Sequence, residues 1–223
     1  MKYSLTKSSY VKGMQCEKYL YLDKHKRHER SEVSEETQKK FNAGHEFEEL
    51  VRKDLFPHGI NIKASSSFFN EFADFTTKSL SINKEITLYE ATIIENGVLV
   101  MCDILRKTEN GDIHIYEIKN TSKINEAISS DLSVQFFVCK KRFGEHLKSF
   151  NLIKLKETDE NEIEVLNFFD QLSSTTSEVN QQISRFNSVL EGKEPSIKTG
   201  FHCETPYQCE FIAYCNKKKF IFF

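Results

Sequence analysis

The sequence predicts an α/β fold with helices flanking a central sheet, and three observations carry that expectation. Helical periodicity dominates both ends of the 223-residue chain. Between residues 86 and 119 the pattern switches to period two, in three β-branched-rich runs separated by Asn-Gly turns. A helix-period segment and one more apolar run then follow, which is the order of a crossover connection. The length suits one domain with its own core. It divides into a helical part over 1–60, an α/β core over 85–156 and a helical part over 160–223.

Residues 5–27 read as helix, with Tyr10, Met14, Tyr19 and Leu20 as apolar positions and Thr6 or Ser8 as cap. Residues 34–55 form a second helix: Ser34 can cap it, Phe41, Phe47, Leu50, Val51 and Leu55 recur at helical spacing, and Pro57-His58-Gly59 ends it. Residues 60–84 are polar and Ser-rich and are expected to pack loosely or carry a short helix. The runs 86–94, 98–105 and 112–119 then make a three-stranded meander through turns at Asn96-Gly97 and Asn110-Gly111. Residues 123–142 read as helix, containing Ile128, Leu132, Gln135, Phe136, Val138 and Cys139. Residues 150–155 read as a strand parallel to a meander strand, and 160–191 as one long amphipathic helical region from Ile163 to Leu190.

Acids and bases nearly cancel, leaving a formal net charge of -2. That balance argues against a generally basic nucleic-acid binder and leaves room for a local groove. Lys24, Lys26, Arg27 and Arg30, or Lys217, Lys218 and Lys219, would supply one, although either run alone reads better as a solvated face. No stretch is long and apolar enough to span a bilayer, and the N-terminus has no signal-peptide core. A cytoplasmic, reduced protein without membrane contact is therefore expected. The six cysteines are then free buried thiols, catalytic groups or metal ligands rather than a disulfide framework.

The strongest chemical signal is Asp103 on one strand and Glu117-Ile118-Lys119 on the next. Alternation puts Glu117 and Lys119 on one face. Two carboxylates hold a hard divalent cation, and an amine beside them steadies developing negative charge. The competing reading is a surface ion-pair ladder. Asp103 and Glu117 weigh against it, because each interrupts an apolar strand where an unpaired carboxylate is costly. Gln135 sits among apolar residues and is placed to face the same pocket. Glu90 also interrupts an apolar strand, and it either borders the site or pairs with a base on the next strand.

The order αβββαβ, with Asp103, then Glu117-Ile118-Lys119, then Gln135, resembles the PD-(D/E)XK nuclease superfamily and its RecB-like members. The resemblance implies a restriction-endonuclease-like core. Asp103 and Glu117 would hold Mg²⁺ or Mn²⁺, with the Ile118 carbonyl as a further oxygen. Lys119 would orient water and stabilise charge, and Gln135 would be the Gln of a Gln-x-x-x-Tyr motif. Cys139 stands where that Tyr would be, and Cys102 where a Pro often precedes the aspartate. RecB-like members add a His or acidic ligand from the first core helix, soon after a glycine. In Gly44-His45-Glu46-Phe47-Glu48-Glu49, His45 and Glu49 share a helix face and either would serve; Glu46 and Glu48 read as solvated.

Cys203, Cys209 and Cys215 are evenly spaced near the C-terminus, and Cys16 stands near the start. This arrangement resembles the iron–sulfur staple of RecB-like exonucleases, including CRISPR-associated exonucleases and the AddB helicase–nuclease. There a [4Fe–4S] cluster ties the chain ends together. The gap between Cys203 and Cys209 is wider than the usual Cys-x-x-Cys and looks more like an uncharacterised bacterial branch. Zinc held by four thiolates is the rival. His202 reads as a neighbour of the set rather than a replacement ligand, and Cys102 and Cys139 read as small buried hydrophobes.

The resemblance as a whole implies a metal-dependent DNA nuclease, an exonuclease on single-stranded or frayed ends, as one nuclease domain over 1–223. The alternative is a catalytically weak module that binds nucleic acid or protein in a CRISPR-adaptation or DNA-repair assembly, with the cysteines binding zinc.

Overall fold

The computed structural model describes residues 2–65 and 68–217. A seven-stranded sheet runs through it, with most helices on one face. Thr6 closes a capping box with Ser9 and starts α1 (Lys7–Gln15). The expected single N-terminal helix is broken at Cys16, whose extended backbone separates α1 from α2 (Glu17–His25). The second expected helix is α3 (Glu35–Leu55), capped by Ser34. The segment expected to be loose carries a 14-residue helix, α4 (Phe69–Ile82), which buries Phe72, Ala73 and Thr76 against the sheet. Its Ser and Thr content masked an apolar stripe that tertiary packing uses.

The meander is β3 (Ile86–Glu95), β4 (Val98–Lys107) and β5 (Ile113–Lys119), all antiparallel. Asn96 and Gly97 both take positive φ, as a tight right-twisting hairpin turn requires. Next, α5 (Glu126–Phe143) crosses to β6 (Leu147–Leu155), which pairs parallel with β5 as expected. Two short strands, β1 (Leu5–Thr6) and β2 (Ile60–Asn61), pair parallel with β4 and β3.

Residues 160–191 are not one helical region. β7 (Ile163–Asn167) pairs antiparallel with β6, a short helix α6 (Phe169–Ser173) follows, and only α7 (Thr176–Glu191) is the long amphipathic helix. The alternation Ile163, Val165 fits a strand, and β7 covers the edge of β6. The described chain closes with α8 (Ile212–Lys217). Lys218 and Lys219, named above for a basic groove, lie outside the described residues. No helix among the described residues is long and apolar enough to cross a membrane.

One face of the sheet packs on α1, α4, α5 and α7 through Tyr10, Phe72, Phe136 and Phe186. The other carries α3, with Val51 against Ile104, Ile118 and Ile153. On the first face β3 contributes Leu88, Ala91 and Ile93, and β4 contributes Val100, Cys102 and Leu105. A spacing of three appears once in each strand, so the alternation slips by one residue at Glu90 and again at Asp103. Glu90 takes φ 56°, and register pairs resume unbroken on either side. The slips coincide, so the strands kink together without losing register.

Candidate active site

β5 pairs with β4 only at Ile104–Lys107, while β1 pairs with β4 at Val98 and Leu99. The two strands therefore fork beside Asp103. There the carboxylate replaces the missing ladder: Asp103 Oδ2 accepts a hydrogen bond from the Ile118 N–H at 2.7 Å. In an extended strand the N–H and C=O of one residue point to the same edge, so the Ile118 carbonyl faces the same gap.

Glu117, one residue earlier, points to the opposite face from Ile118, toward α5. Its side chain is 1% exposed, and its Oε1 accepts from Lys119 Nζ at 2.6 Å and from Lys7 Nζ at 2.9 Å. Glu117 Oε2 is buried and has no hydrogen-bond partner. Lys119 also donates to Asp131 Oδ2 at 2.6 Å, and Lys7 stands 3.7 Å from Asp131 Oδ1. Asp131 lies on α5, and Gln135 lies one turn further along the same helix face. Gln135 is fully buried, with neither amide atom partnered. An orphaned buried amide of this kind marks a place where water or a ligand is needed.

Electrostatics separate the carboxyls. Burial and the neighbouring Glu117 push Asp103 well above the usual carboxylate range. Burial works in the same direction on Glu117, but Lys119 and Lys7 overcome it and hold that carboxyl well below the usual range. Burial raises Asp131 despite its two lysines. Lys119 stays firmly protonated, because Glu117 and Asp131 outweigh its desolvation.

On the other face, α3 brings neither residue expected from the sequence. His45 has a 77% exposed side chain, and Glu49 is also exposed. The residue turned inward is Glu48, 17% exposed, paired with Arg52 and close enough to Glu117 to feel its charge. The geometry reverses the solvated reading of Glu48: α3 contacts the sheet through Phe47 and Val51, and Glu48 falls beside that stripe. Arg52 also holds Glu90 at 2.9 Å and donates to the Asp103 carbonyl at 3.4 Å. Lys63 pairs with Glu90 at 2.7 Å. Glu90 therefore borders the site, and its partners come from α3 and the segment after β2 rather than the neighbouring strand.

Sequence reasoning missed Lys7, Asp131 and Glu48. Lys7 had one available signal. It is a cation in the first helical turn, where the macrodipole favours acids.

The second cluster lies at the ends of the described chain. Cys16, Cys203, Cys209 and Cys215 line one pocket with Lys18, Lys198 and His202. Burial raises the Cys209 thiol to about 11 and also raises Cys16 and Cys215, with Lys18 pulling the latter two back down. Beside the pocket, Glu210 accepts from Tyr19 at 2.6 Å and Lys12 at 3.1 Å. The Gln15 amide donates to the carbonyls of His202 and Tyr207. Cys102 and Cys139 are buried with sulfurs 3.7 Å apart, away from this pocket, as the sequence led us to expect of small apolar fillers. Among the described residues no three His, Cys, Asp or Glu side chains stand in position to hold a single metal ion.

No family profile matches the chain, and no curated protein matches it in sequence. Among solved structures, a "Putative exonuclease" from Eubacterium rectale is 16% identical with a TM-score of 0.48, covering 97% of this chain and 88% of its own. A second, SSO0001, is 13% identical with a TM-score of 0.36, covering 95% and 96%.

Proposed function

We propose that the chain is a divalent-metal-dependent nuclease that hydrolyses DNA phosphodiester bonds as an exonuclease on single-stranded or frayed ends. The observation that carries this reading is Glu117 Oε2. It is an ionised carboxylate oxygen, fully buried and unpartnered, beside an Asp103 that fills a strand fork. A buried lone pair left open is costly unless a ligand takes it.

The donor set suits Mg²⁺ or Mn²⁺, which bind through one or two carboxylates and complete their shell with water and substrate phosphate. Asp103 and Glu117 would hold the ion, the Ile118 carbonyl would be a further oxygen, and Glu48 rather than His45 or Glu49 would approach from α3. When bound, the ion supplies a Lewis acid that polarises a phosphoryl oxygen. Lys119, fixed between Glu117 and Asp131, keeps its proton, orients the attacking water and faces the charge that builds on the scissile phosphate. Gln135 orients water or substrate within the covered side of the fork.

The four cysteines would hold a [4Fe–4S] cluster, whose role would be to tie the segment around Cys16 to the segment 203–215. The thiols share one pocket. Thiolates are the usual ligands of such a cluster, and four of them also suit a zinc ion. Lys18 and Lys198 line the same pocket and suit an anionic centre.

One observation favours a second reading, a catalytically weak binding module of a CRISPR or DNA-repair assembly. Two ammonium groups already neutralise Glu117 Oε1. A cleavage assay separates the two readings. Labelled linear and circular DNA is incubated with Mn²⁺ and wild-type or Lys119→Ala protein. The nuclease reading expects degradation of linear DNA by wild type and a loss of about 10²–10³-fold in the variant. Full activity in Lys119→Ala, or none in wild type, overturns it. Iron and sulfide analysis with visible absorbance on anaerobically purified protein decides between cluster and zinc.

A further inference from the structure

We infer that Lys7 is a second phosphate-contacting cation of this site, held beside Lys119 by Glu117 and Asp131; the inference rests on the nuclease reading. Lys7 lies 110 residues from Glu117 in sequence, and it reaches the site by a specific route. β5 leaves β4 at the fork, β1 pairs with the portion of β4 beyond it, and α1 begins directly after β1. The first residue of α1 is therefore delivered to the mouth of the fork. Both ammonium groups lie within 3 Å of the same Glu117 oxygen, so they stand next to each other.

Three features distinguish Lys7 from an ordinary ion pair. It occupies the first turn of a helix, where a cation opposes the macrodipole. A local rule broken in this way usually has a functional compensation. Lys7 also forms one hydrogen bond among the described residues, to Glu117, and only a longer contact of 3.7 Å to Asp131. An ammonium carries three donors, so two remain for a ligand. Finally, its side chain is 20% exposed and that of Lys119 26%, whereas Glu117 is 1% exposed. The carboxylate is the floor of the site, and the two lysine side chains are its more exposed members. Two adjacent cations above a buried acid suit the non-bridging oxygens of a phosphodiester, an anion with more than one acceptor to satisfy. Asp131 then acts as a positioning residue, setting the separation of the two lysines.

The test compares wild type, Lys7→Met, Lys7→Arg and Lys119→Met. Each is checked for a cooperative melting transition above the assay temperature. Binding of a fluorescein-labelled single-stranded oligodeoxythymidylate is measured in Ca²⁺ across a salt series, and cleavage is measured in Mn²⁺. A lost phosphate contact lowers the slope of log affinity against log salt by about 0.7, whereas a merely structural loss leaves the slope unchanged. The expected result for Lys7→Met is that smaller slope together with about a 10²-fold fall in kcat/KM. Lys7→Arg should recover the slope and part of the rate. An unchanged slope and rate in Lys7→Met, with Lys119→Met inactive, overturns the inference and leaves the nuclease reading intact. If wild type binds the oligonucleotide and cleaves nothing, the nuclease reading falls and the Lys7 slope alone decides the contact. If it does not bind at all, both fall.

Discussion

At the fork between β4 and β5, charged side chains converge from β1–α1, α3, the meander and α5. At the cysteine pocket, thiols converge from one helix junction and one C-terminal segment. The first region is assembled by sheet topology, and its side chains hold one another through ion pairs on a rigid floor. The second is assembled by docking a loop-rich segment onto α1 and α2. Gln15, Lys12 and Tyr19 do that docking through hydrogen bonds that do not involve sulfur. Removing a group from the fork therefore leaves like charges facing each other. Removing a thiol leaves a polar scaffold still in place.

The largest effect should come from Glu117→Ala. It leaves both lysines with Asp131 as their remaining counter-charge, so a loss of about 3–5 kcal/mol in unfolding free energy is expected along with loss of Mn²⁺-dependent cleavage. Denaturant titration and the cleavage assay check this; a near-wild-type unfolding midpoint would show that the fork is not held by its charges. On the cluster reading, Cys209→Ser should abolish visible absorbance and bound iron while circular dichroism stays native, because the docking bonds remain. A variant unfolded in buffer would mean that the cluster, not the polar network, holds the chain ends.

On the fork's second face, Glu48→Gln should lower cleavage by about 10–100-fold, the usual effect of weakening a metal site. His45→Ala and Glu49→Ala should cleave as wild type does. The reverse pattern would return the helix ligand to the exposed face of α3. Glu210→Gln tests the scaffold directly. It weakens the contacts to Tyr19, Lys12 and Arg30 and should cost about 1–3 kcal/mol, read as a lower melting temperature with cleavage unchanged.

The smallest effect is a pH dependence of cluster-free protein. Burial raises Cys209 from 9.0 to about 11, so the folded state holds that proton more tightly than the unfolded state. The stabilisation is complete below pH 9 and disappears as pH rises through about 11. Melting of chelator-treated wild type should fall across that window, and Cys209→Ser should fall less. Identical profiles would mean the thiol is not protected by burial.

Much of this architecture was readable from local pattern. The meander, its Asn-Gly turns, the Ser34 cap and the parallel crossover through α5 all follow from periodicity and turn chemistry, which act over a few residues. Misreadings occurred where packing overrode that pattern. Residues 163–167 became a strand because β6 offered an open edge, and Cys16 broke a helix that the periodicity alone would continue. α4 was hidden by polar residues whose backbone and side chains the sheet accepts, as in the Thr76 hydroxyl that takes the Thr92 N–H.

The site divides along the same line. Asp103 and Glu117 could be singled out from the sequence because an acid inside an apolar strand is anomalous wherever the chain goes, and Lys119 because alternation puts it on the same face as Glu117. That Glu48 and not Glu49 turns inward depends on the rotation of α3 about its axis, which Val51 and Phe47 set by packing on the sheet. That Lys7 and Asp131 complete the cluster depends on β1 entering where β5 departs and on α5 crossing above it. Sequence by itself determined which residues are too costly to bury without a purpose. Tertiary structure alone decided which charges meet, because contacts between residues 7, 117 and 131 are products of topology; a cation in the first turn of a helix marks Lys7 as unusual without naming its partners.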